Sequence, residues 1–128
     1  MRVLLVDDDP DIRKIGALSL VAVGGFQVEV AESGAEAIAK GAEQAPDLIL
    51  LDIMMPGMDG VATLAELRKL PGLAGTPVVF FTARVQRAEV EELVALGAMG
   101  VIGKPFDPMT LASQVRALLA AASGSRRA

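Results

Sequence analysis

The sequence contains no cysteine, histidine, tryptophan or tyrosine among its 128 residues. Without cysteine it can form neither disulfides nor thiolate metal sites. Without histidine it lacks the usual general base and the usual ligand of transition metals. Any chemistry must therefore rely on carboxylates, hydroxyls, lysine, arginine and backbone groups, and the cations that suit such a sequence are hard ions that bind oxygen.

Long apolar runs and an excess of positive charge are also missing. No run reaches the roughly 18 residues of a membrane-spanning helix, and the N-terminus lacks a signal-peptide pattern. We therefore expect a cytoplasmic location without membrane contact. Sixteen acidic residues against 12 basic ones give a formal net charge of −4, which disfavours nucleic-acid binding. Because 52% of the residues are hydrophobic, one packed domain is expected.

Apolar runs alternate with helical stretches along the chain. The runs, each expected to form a strand, are 3–6, 26–30, 48–51, 78–81 and 100–103. The expected helices are 10–23, 34–44, 61–70, 85–96 and 108–122. Asp9-Pro10 and Asp107-Pro108 are helix-start signals, which makes Asp9 a helix cap in preference to a ligand. The pattern predicts one domain over 1–122, followed by a short flexible tail over 123–128.

Five strand–helix units in this order predict an α/β fold, with helices on both faces of a parallel sheet. The first, third and fourth runs are apolar throughout, as central strands are, whereas the second alternates and the fifth is very short. The strand order 2-1-3-4-5 satisfies these constraints and gives a doubly wound, flavodoxin-like (βα)5 sheet. A closed barrel of about eight units is excluded by length.

Polar residues come directly after four of the five apolar runs. Two follow the first run and one follows each of the third, fourth and fifth, in the order Asp7, Asp8, Asp52, Thr82 and Lys104. Ligands of open parallel sheets bind beyond the carboxyl ends of the strands, where the strand order reverses. Taken singly, each residue could be a turn residue, a strand end or a surface charge. Together they would place three carboxylates close to one another, and the repulsion between their negative charges would lower stability. A cation and the lysine would supply the positive charge that offsets this repulsion. We therefore predict a Mg²⁺ site and a nucleophilic Asp52 that attacks phosphorus.

Four segments resemble the receiver domains of two-component response regulators, including the chemotaxis receivers. They are VDDDP at 6–10, LDIMMPGMDG at 51–60, FTA at 81–83 and GKPF at 103–106. The resemblance covers 3 to about 122. It implies a domain that accepts a phosphoryl group from a sensor histidine kinase or a histidine phosphotransfer protein, and that signals to a downstream protein target by a conformational switch.

The resemblance also implies how the acceptor and the metal are held. Asp52 would be the phosphoacceptor and a metal ligand. Asp8 would bind Mg²⁺ directly, and Asp7 would hold a metal-bound water. The backbone carbonyl of Met54 would complete the protein ligands.

The remaining site residues are implied in the same way. Thr82 would be the switch hydroxyl, Ala83 would leave access to the acceptor, and Lys104 would pair with the phosphoryl group. The bond before Pro105 is expected to be cis. The family often has an aromatic residue in the fifth strand where this sequence has Val101, so we expect a smaller conformational response.

Two positions flank the acceptor in the family and are expected to affect the lifetime of the phosphorylated state. These are Met54, two residues after Asp52, and Arg84, two residues after Thr82. An apolar Met54 is expected to hinder the water that hydrolyses the acyl phosphate.

Three alternatives use a similar fold or chemistry. A phosphatase of the haloacid dehalogenase type would need an acid at position 54, where methionine cannot transfer protons. A flavodoxin-like cofactor binder would need a loop rich in donors where Asp7-Asp8-Asp9 would repel phosphate. A receiver-like scaffold without phosphorylation would not need the complete set of site residues. We therefore expect a signalling protein that catalyses only its own phosphorylation and dephosphorylation, without an output domain in this sequence.

Overall fold

The computed structural model describes residues 1–83 and 86–127, and five strands alternate with five helices in this part of the chain. The strands are Arg2–Val6 (β1), Gln27–Ala31 (β2), Leu48–Asp52 (β3), Val78–Thr82 (β4) and Gly100–Gly103 (β5). The helices are Pro10–Ala22 (α1), Gly34–Glu43 (α2), Gly60–Arg68 (α3), Arg87–Ala95 (α4) and Leu111–Arg127 (α5). Among the described helices, none is both long and apolar enough for a bilayer crossing.

The strands form one parallel sheet in the order β2-β1-β3-β4-β5, as predicted. Every residue of β3 and β4 is buried, and so are four of the five residues of β1. Burial on both faces explains why these three runs contain no exposed polar position. The strand order reverses between β1 and β3, which places the expected ligand site beyond their carboxyl ends.

The sheet separates two hydrophobic clusters, and successive strand residues alternate between them. One cluster packs β-strand residues such as Leu4 and Leu51 against α2, α3 and α4. The other packs residues such as Leu5 and Leu50 against α1 and α5. The helices therefore cover both faces and leave the carboxyl edge of the sheet for the polar residues.

Side chains cap several helices where the sequence predicted starts. Asp9 accepts a hydrogen bond from Asp11 N at 2.9 Å, and Ser33 accepts one from Glu36 N at 3.1 Å. Asp9 is thus a helix cap, as expected. Asp107 accepts a bond from Met109 N at 2.9 Å, but α5 begins only at Leu111 because residues 108–110 form a separate turn.

The C-terminal end of α5 differs most from the sequence expectation, and those of the other described helices agree within two residues. α5 continues to Arg127 and does not end near Ala122. The segment after Ala122 contains serine and glycine but no proline, and such residues lower helix stability by only about 1 kcal/mol or less each. The expected start of α4 at Val85 lies outside the described residues. The division into a domain over 1–122 and a tail stays a prediction.

Gly60 begins α3 directly against the end of β3. A Cβ atom at this position would lie 2.3 Å from the backbone oxygen of Asp52 and 2.8 Å from the Cα of Ile53. The Gly60 amide also donates to the backbone oxygen of Ile53 at 2.8 Å. Only glycine therefore allows α3 to start this close to the carboxyl end of β3.

We predict that Gly60→Ala lowers the free energy of unfolding by about 1–3 kcal/mol, because backbone atoms must move to admit the methyl group. Gly75→Ala is the matched control, since a Cβ at Gly75 has nothing within 4 Å. Urea unfolding followed by circular dichroism measures both variants. Equal stabilities of the two variants would contradict the steric argument.

Candidate functional site

Four strand ends bring the predicted polar residues together at one edge of the sheet. Asp7 follows β1, Asp52 ends β3, Thr82 ends β4 and Lys104 follows β5. The strand register fixes these positions, because Asp52 lies beside Phe81, and the Lys104 amide donates to the backbone oxygen of Thr82 at 2.9 Å.

Lys104 bridges two buried carboxylates. Its Nζ atom lies 2.7 Å from Asp7 Oδ2 and 3.0 Å from Asp52 Oδ1. Asp7 is completely buried and Asp52 is 3% exposed. One ammonium group thus faces two carboxylates that have little contact with solvent. Buried ion pairs of this kind are stable only when their geometry is good and their remaining polar atoms are hydrogen-bonded.

A third carboxylate completes an acidic cluster. One oxygen each from Asp7, Asp8 and Asp52 lies within 4.8 Å of the others. Asp7 Oδ1 also accepts a hydrogen bond from Asp9 N at 2.9 Å, so both Asp7 oxygens have protein partners. Asp8 is exposed. Oxygen ligands at this spacing fit a hard divalent cation, which would neutralise the charge that Lys104 leaves uncompensated.

Burial dominates the acid–base behaviour of Asp52. It raises the pKa of this carboxyl from 3.8 to about 6, although the Lys104 hydrogen bond lowers the pKa and the charge of Asp7 raises it. Burial alone would lower the pKa of the Lys104 ammonium group, but its bonds to Asp7 and Asp52 raise it above the ordinary value. Without a cation, ionisation of Asp52 is therefore less favourable in the folded protein than in the unfolded chain.

Arg13 supports the site, and sequence reasoning missed it. Its Nη1 atom donates to the backbone oxygen of Asp7 at 2.8 Å, and Nη2 lies 3.9 Å from Glu32. The bond to Asp7 holds the peptide that joins the first two carboxylates of the cluster. Arg13 follows Asp9 by four residues, and this spacing is the signal that could have placed it on the site side of α1.

The residues around Asp52 differ in exposure. Met54 is 76% exposed, and its amide donates to Asp52 Oδ1 at 3.3 Å. Thr82 is buried and Ala83 is exposed. Arg84, which was expected to flank the acceptor, lies outside the described residues.

Two further predicted positions lie on and after β5. Val101 is half-buried and packs against the cluster on the side of α2, α3 and α4. The Lys104–Pro105 peptide bond is cis, as expected.

Comparisons with known proteins agree with this arrangement. The family model described as response regulator receiver domain matches residues 3–116. The chain is 38% identical over 122 residues to the transcriptional regulatory protein ResD of Bacillus subtilis, and this match covers 95% of this chain and 49% of ResD. It is 39% identical over 119 residues to the DNA-binding response regulator MtrA of Mycobacterium tuberculosis, and this match covers 92% of this chain and 50% of MtrA. The chain thus spans about half the length of the curated relatives it matches.

Solved structures show the same fold. The chemotaxis response regulator CheY4 of Vibrio cholerae matches with a TM-score of 0.85 and 33% identity, over 91% of this chain and 97% of that chain. The receiver domain of NtrX from Brucella abortus matches with a TM-score of 0.80 and 31% identity, over 91% and 97%.

The raised pKa of Asp52 predicts how Asp52→Asn changes stability in the presence of a chelator. Between pH 3.8 and about 6, the folded protein keeps a proton that the unfolded chain has released. The contribution of this carboxyl to stability therefore falls as the pH rises through that window. We expect Asp52→Asn to raise the free energy of unfolding by roughly 1–3 kcal/mol at about pH 8 and by much less at about pH 4.

Urea unfolding at both pH values measures this effect. Glu43→Gln removes the same charge at an exposed position, so it serves as the control and should change stability little at either pH. If Asp52→Asn were less stable than wild type at about pH 8, the Lys104 ion pair would outweigh the cost of burial.

Proposed function

This chain belongs to the response regulator receiver domain family of two-component signalling, and we propose that Asp52 is its phosphoacceptor. Phosphorylation of an aspartate is the standard function of this family. The observation that carries the assignment is the contact of buried Asp52 with Lys104 at 3.0 Å, inside the acidic cluster. Asp7 suits the role less because its two oxygens already have protein partners.

The proposed cofactor is Mg²⁺, which members of the family normally use. Asp8, Asp52 and the backbone carbonyl of Met54 would hold the ion, with Asp7 acting through water. The ion supplies charge neutralisation for the oxygens of the transferred phosphoryl group. The cluster of three carboxylates in a chain without histidine or cysteine agrees with this choice.

The chain's own residues would carry the transfer by positioning and by charge. A carboxylate oxygen of Asp52 attacks the phosphorus of a phosphohistidine, the P–N bond breaks, and an acyl phosphate forms. The Lys104 ammonium group and the Thr82 hydroxyl then contact the phosphoryl oxygens. Asp7 keeps Lys104 in place during this step, because its 2.7 Å ion pair does not involve the reacting carboxylate. The chain would in this way catalyse its own phosphorylation.

The proposed donor is a sensor histidine kinase or a histidine phosphotransfer protein, since the chain has no histidine of its own. Matched relatives named as DNA-binding or transcriptional regulators are about twice as long as this chain. With a net charge of −4, these 128 residues are better suited to a downstream protein target than to nucleic acid. The cytoplasmic location stays a prediction.

The proposed switch is centred on Thr82, α4 and β5. Drawing the Thr82 hydroxyl towards a phosphoryl group would vacate space beside β5. Val101 pairs with Phe80 in the sheet and is already half-buried. It is a short branched side chain without a ring, so its inward movement would displace less surface than that of an aromatic residue. The conformational response is therefore proposed to be small.

We predict that incubation with acetyl phosphate and Mg²⁺ adds the mass of one phosphoryl group to the wild-type chain. Asp52→Asn should abolish the addition, because an amide cannot form the acyl phosphate. Asp9→Asn is the control that should still react, since asparagine also caps a helix. Intact-mass spectrometry reads the result. Full labelling of the Asp52→Asn variant would assign the phosphoryl group to another residue.

Met54→Asn should shorten the lifetime of the phosphorylated chain severalfold, because a polar side chain beside Asp52 can orient the attacking water. Met54→Leu is the matched control, which keeps the site apolar and should decay as slowly as wild type. The decay is followed by intact mass after removal of acetyl phosphate. An unchanged decay rate for Met54→Asn would refute this role of Met54.

A further inference from the structure

A cavity of about 630 Å³ lies between the start of α3 and the helix α4, next to the carboxyl end of β4. Thr82 and Ala83 line it on the side of β4, and Ile53 and Val61 line it on the side of α3. Its volume is within the range that holds a drug-sized ligand or a few side chains. It adjoins the acceptor site without sharing the carboxylates that form the metal cluster.

One face of α4 forms the opposite wall of this cavity. Glu89, Glu92 and Leu93 line the cavity together with Leu96, the residue that caps the end of α4. Leu96, Leu93 and Glu92 follow Glu89 by seven, four and three positions, which is a single helical stripe. Leu93 is the only residue of α4 that is buried, and it packs on the core cluster that also contains Leu64 and Leu67. Glu92 and Leu96 on the same stripe are exposed. The stripe is therefore only partly covered by the chain itself, and helix faces with apolar residues of this kind are usually covered by another element.

The cavity combines an apolar surface with negative charge. Asp59, Glu89 and Glu92 line it, and no lysine or arginine among the described residues does. The Oε2 atom of Glu89 is inaccessible to solvent and has no hydrogen-bond partner in the described part of the chain. A buried carboxylate oxygen without a partner is costly, so rotation of the Glu89 carboxylate towards a donor in the cavity would stabilise it.

We propose that this cavity binds a basic side chain, an arginine flanked by apolar residues, on a partner protein. The guanidinium group bonds to Glu89, with Glu92 and Asp59 adding negative charge. The stem of the arginine and its apolar neighbours lie on Ile53 and Leu93. The proposal goes beyond phosphorylation of Asp52 and does not depend on it.

The rim of the cavity favours a protein as the source of the arginine. Met54 is 76% exposed and Leu96 is 51% exposed, and both line the cavity. A free small molecule inside the cavity would leave these two side chains in water, whereas the surface around an arginine on a protein would cover them. The planar guanidinium also suits a carboxylate better than an ammonium group does.

The probe is the peptide acetyl-Leu-Arg-Leu-amide, titrated into the full chain and followed by backbone amide chemical shifts. The matched control peptide contains citrulline, which has the shape of arginine without its charge. We expect shift changes at Ile53, Val61, Glu89 and Leu93, and about tenfold weaker binding of the citrulline peptide.

Variants of the chain locate the contact. Glu89→Gln should weaken binding of the arginine peptide about tenfold and leave the citrulline peptide almost unchanged. Glu91→Gln on the same helix is the control, since Glu91 pairs with Arg87 at 3.1 Å and does not line the cavity. It should bind as wild type does.

Several results would overturn the proposal. Equal affinities for the two peptides would show that charge has no part in binding. Equal losses in Glu89→Gln and Glu91→Gln would indicate attraction to the net charge of the protein. Shift changes confined to other surfaces, or no changes at all, would show that the cavity does not take this side chain.

Discussion

The ion pairs of Lys104 with Asp7 and Asp52 are the interaction on which the arrangement of the site depends. They join the ends of three strands that are not neighbours in sequence, at distances of 2.7 and 3.0 Å. Without the ammonium group, two buried carboxylates would repel each other at the edge of the sheet. Because one positive charge faces a cluster of three carboxylates, the compensation is incomplete, and this imbalance is what makes a divalent cation fit.

The rest of the fold offsets the cost of placing this excess of negative charge at the edge of the sheet. β3 is buried at all five positions and ends in Asp52, so the proposed acceptor is attached to a strand without an exposed residue. Two hydrophobic clusters, one on each face, hold this strand. Gly60 lets α3 start against the carboxyl end of β3. The stability of the core therefore offsets the cost of an ionisable group whose pKa burial raises to about 6.

Much of this arrangement follows from the sequence because it depends on local patterns. Continuous apolar runs identified the three central strands, and the alternating run at 26–30 identified an edge strand. Asp52 and Lys104 could be placed at one edge from their positions after such runs, because parallel strands end on the same side. The start of α5 was wrong by three residues, since Asp107 caps a separate turn first.

Features that depend on packing between distant elements could not be predicted in this way. The bond from Arg13 to the backbone of Asp7 requires the exact placement of α1 over the end of β1. The cavity exists because α4 and the start of α3 leave space between them. The sequence of α4 shows the stripe of Glu89, Glu92, Leu93 and Leu96, but it does not show this space. From the sequence alone, a stripe with two glutamates is typical of an ordinary half-exposed helix face, because the elements that surround the helix are not known. The space beside Asp52 is thus a property of tertiary packing, and changes in α3 or α4 could alter its shape while Asp7, Asp52 and Lys104 stay the same.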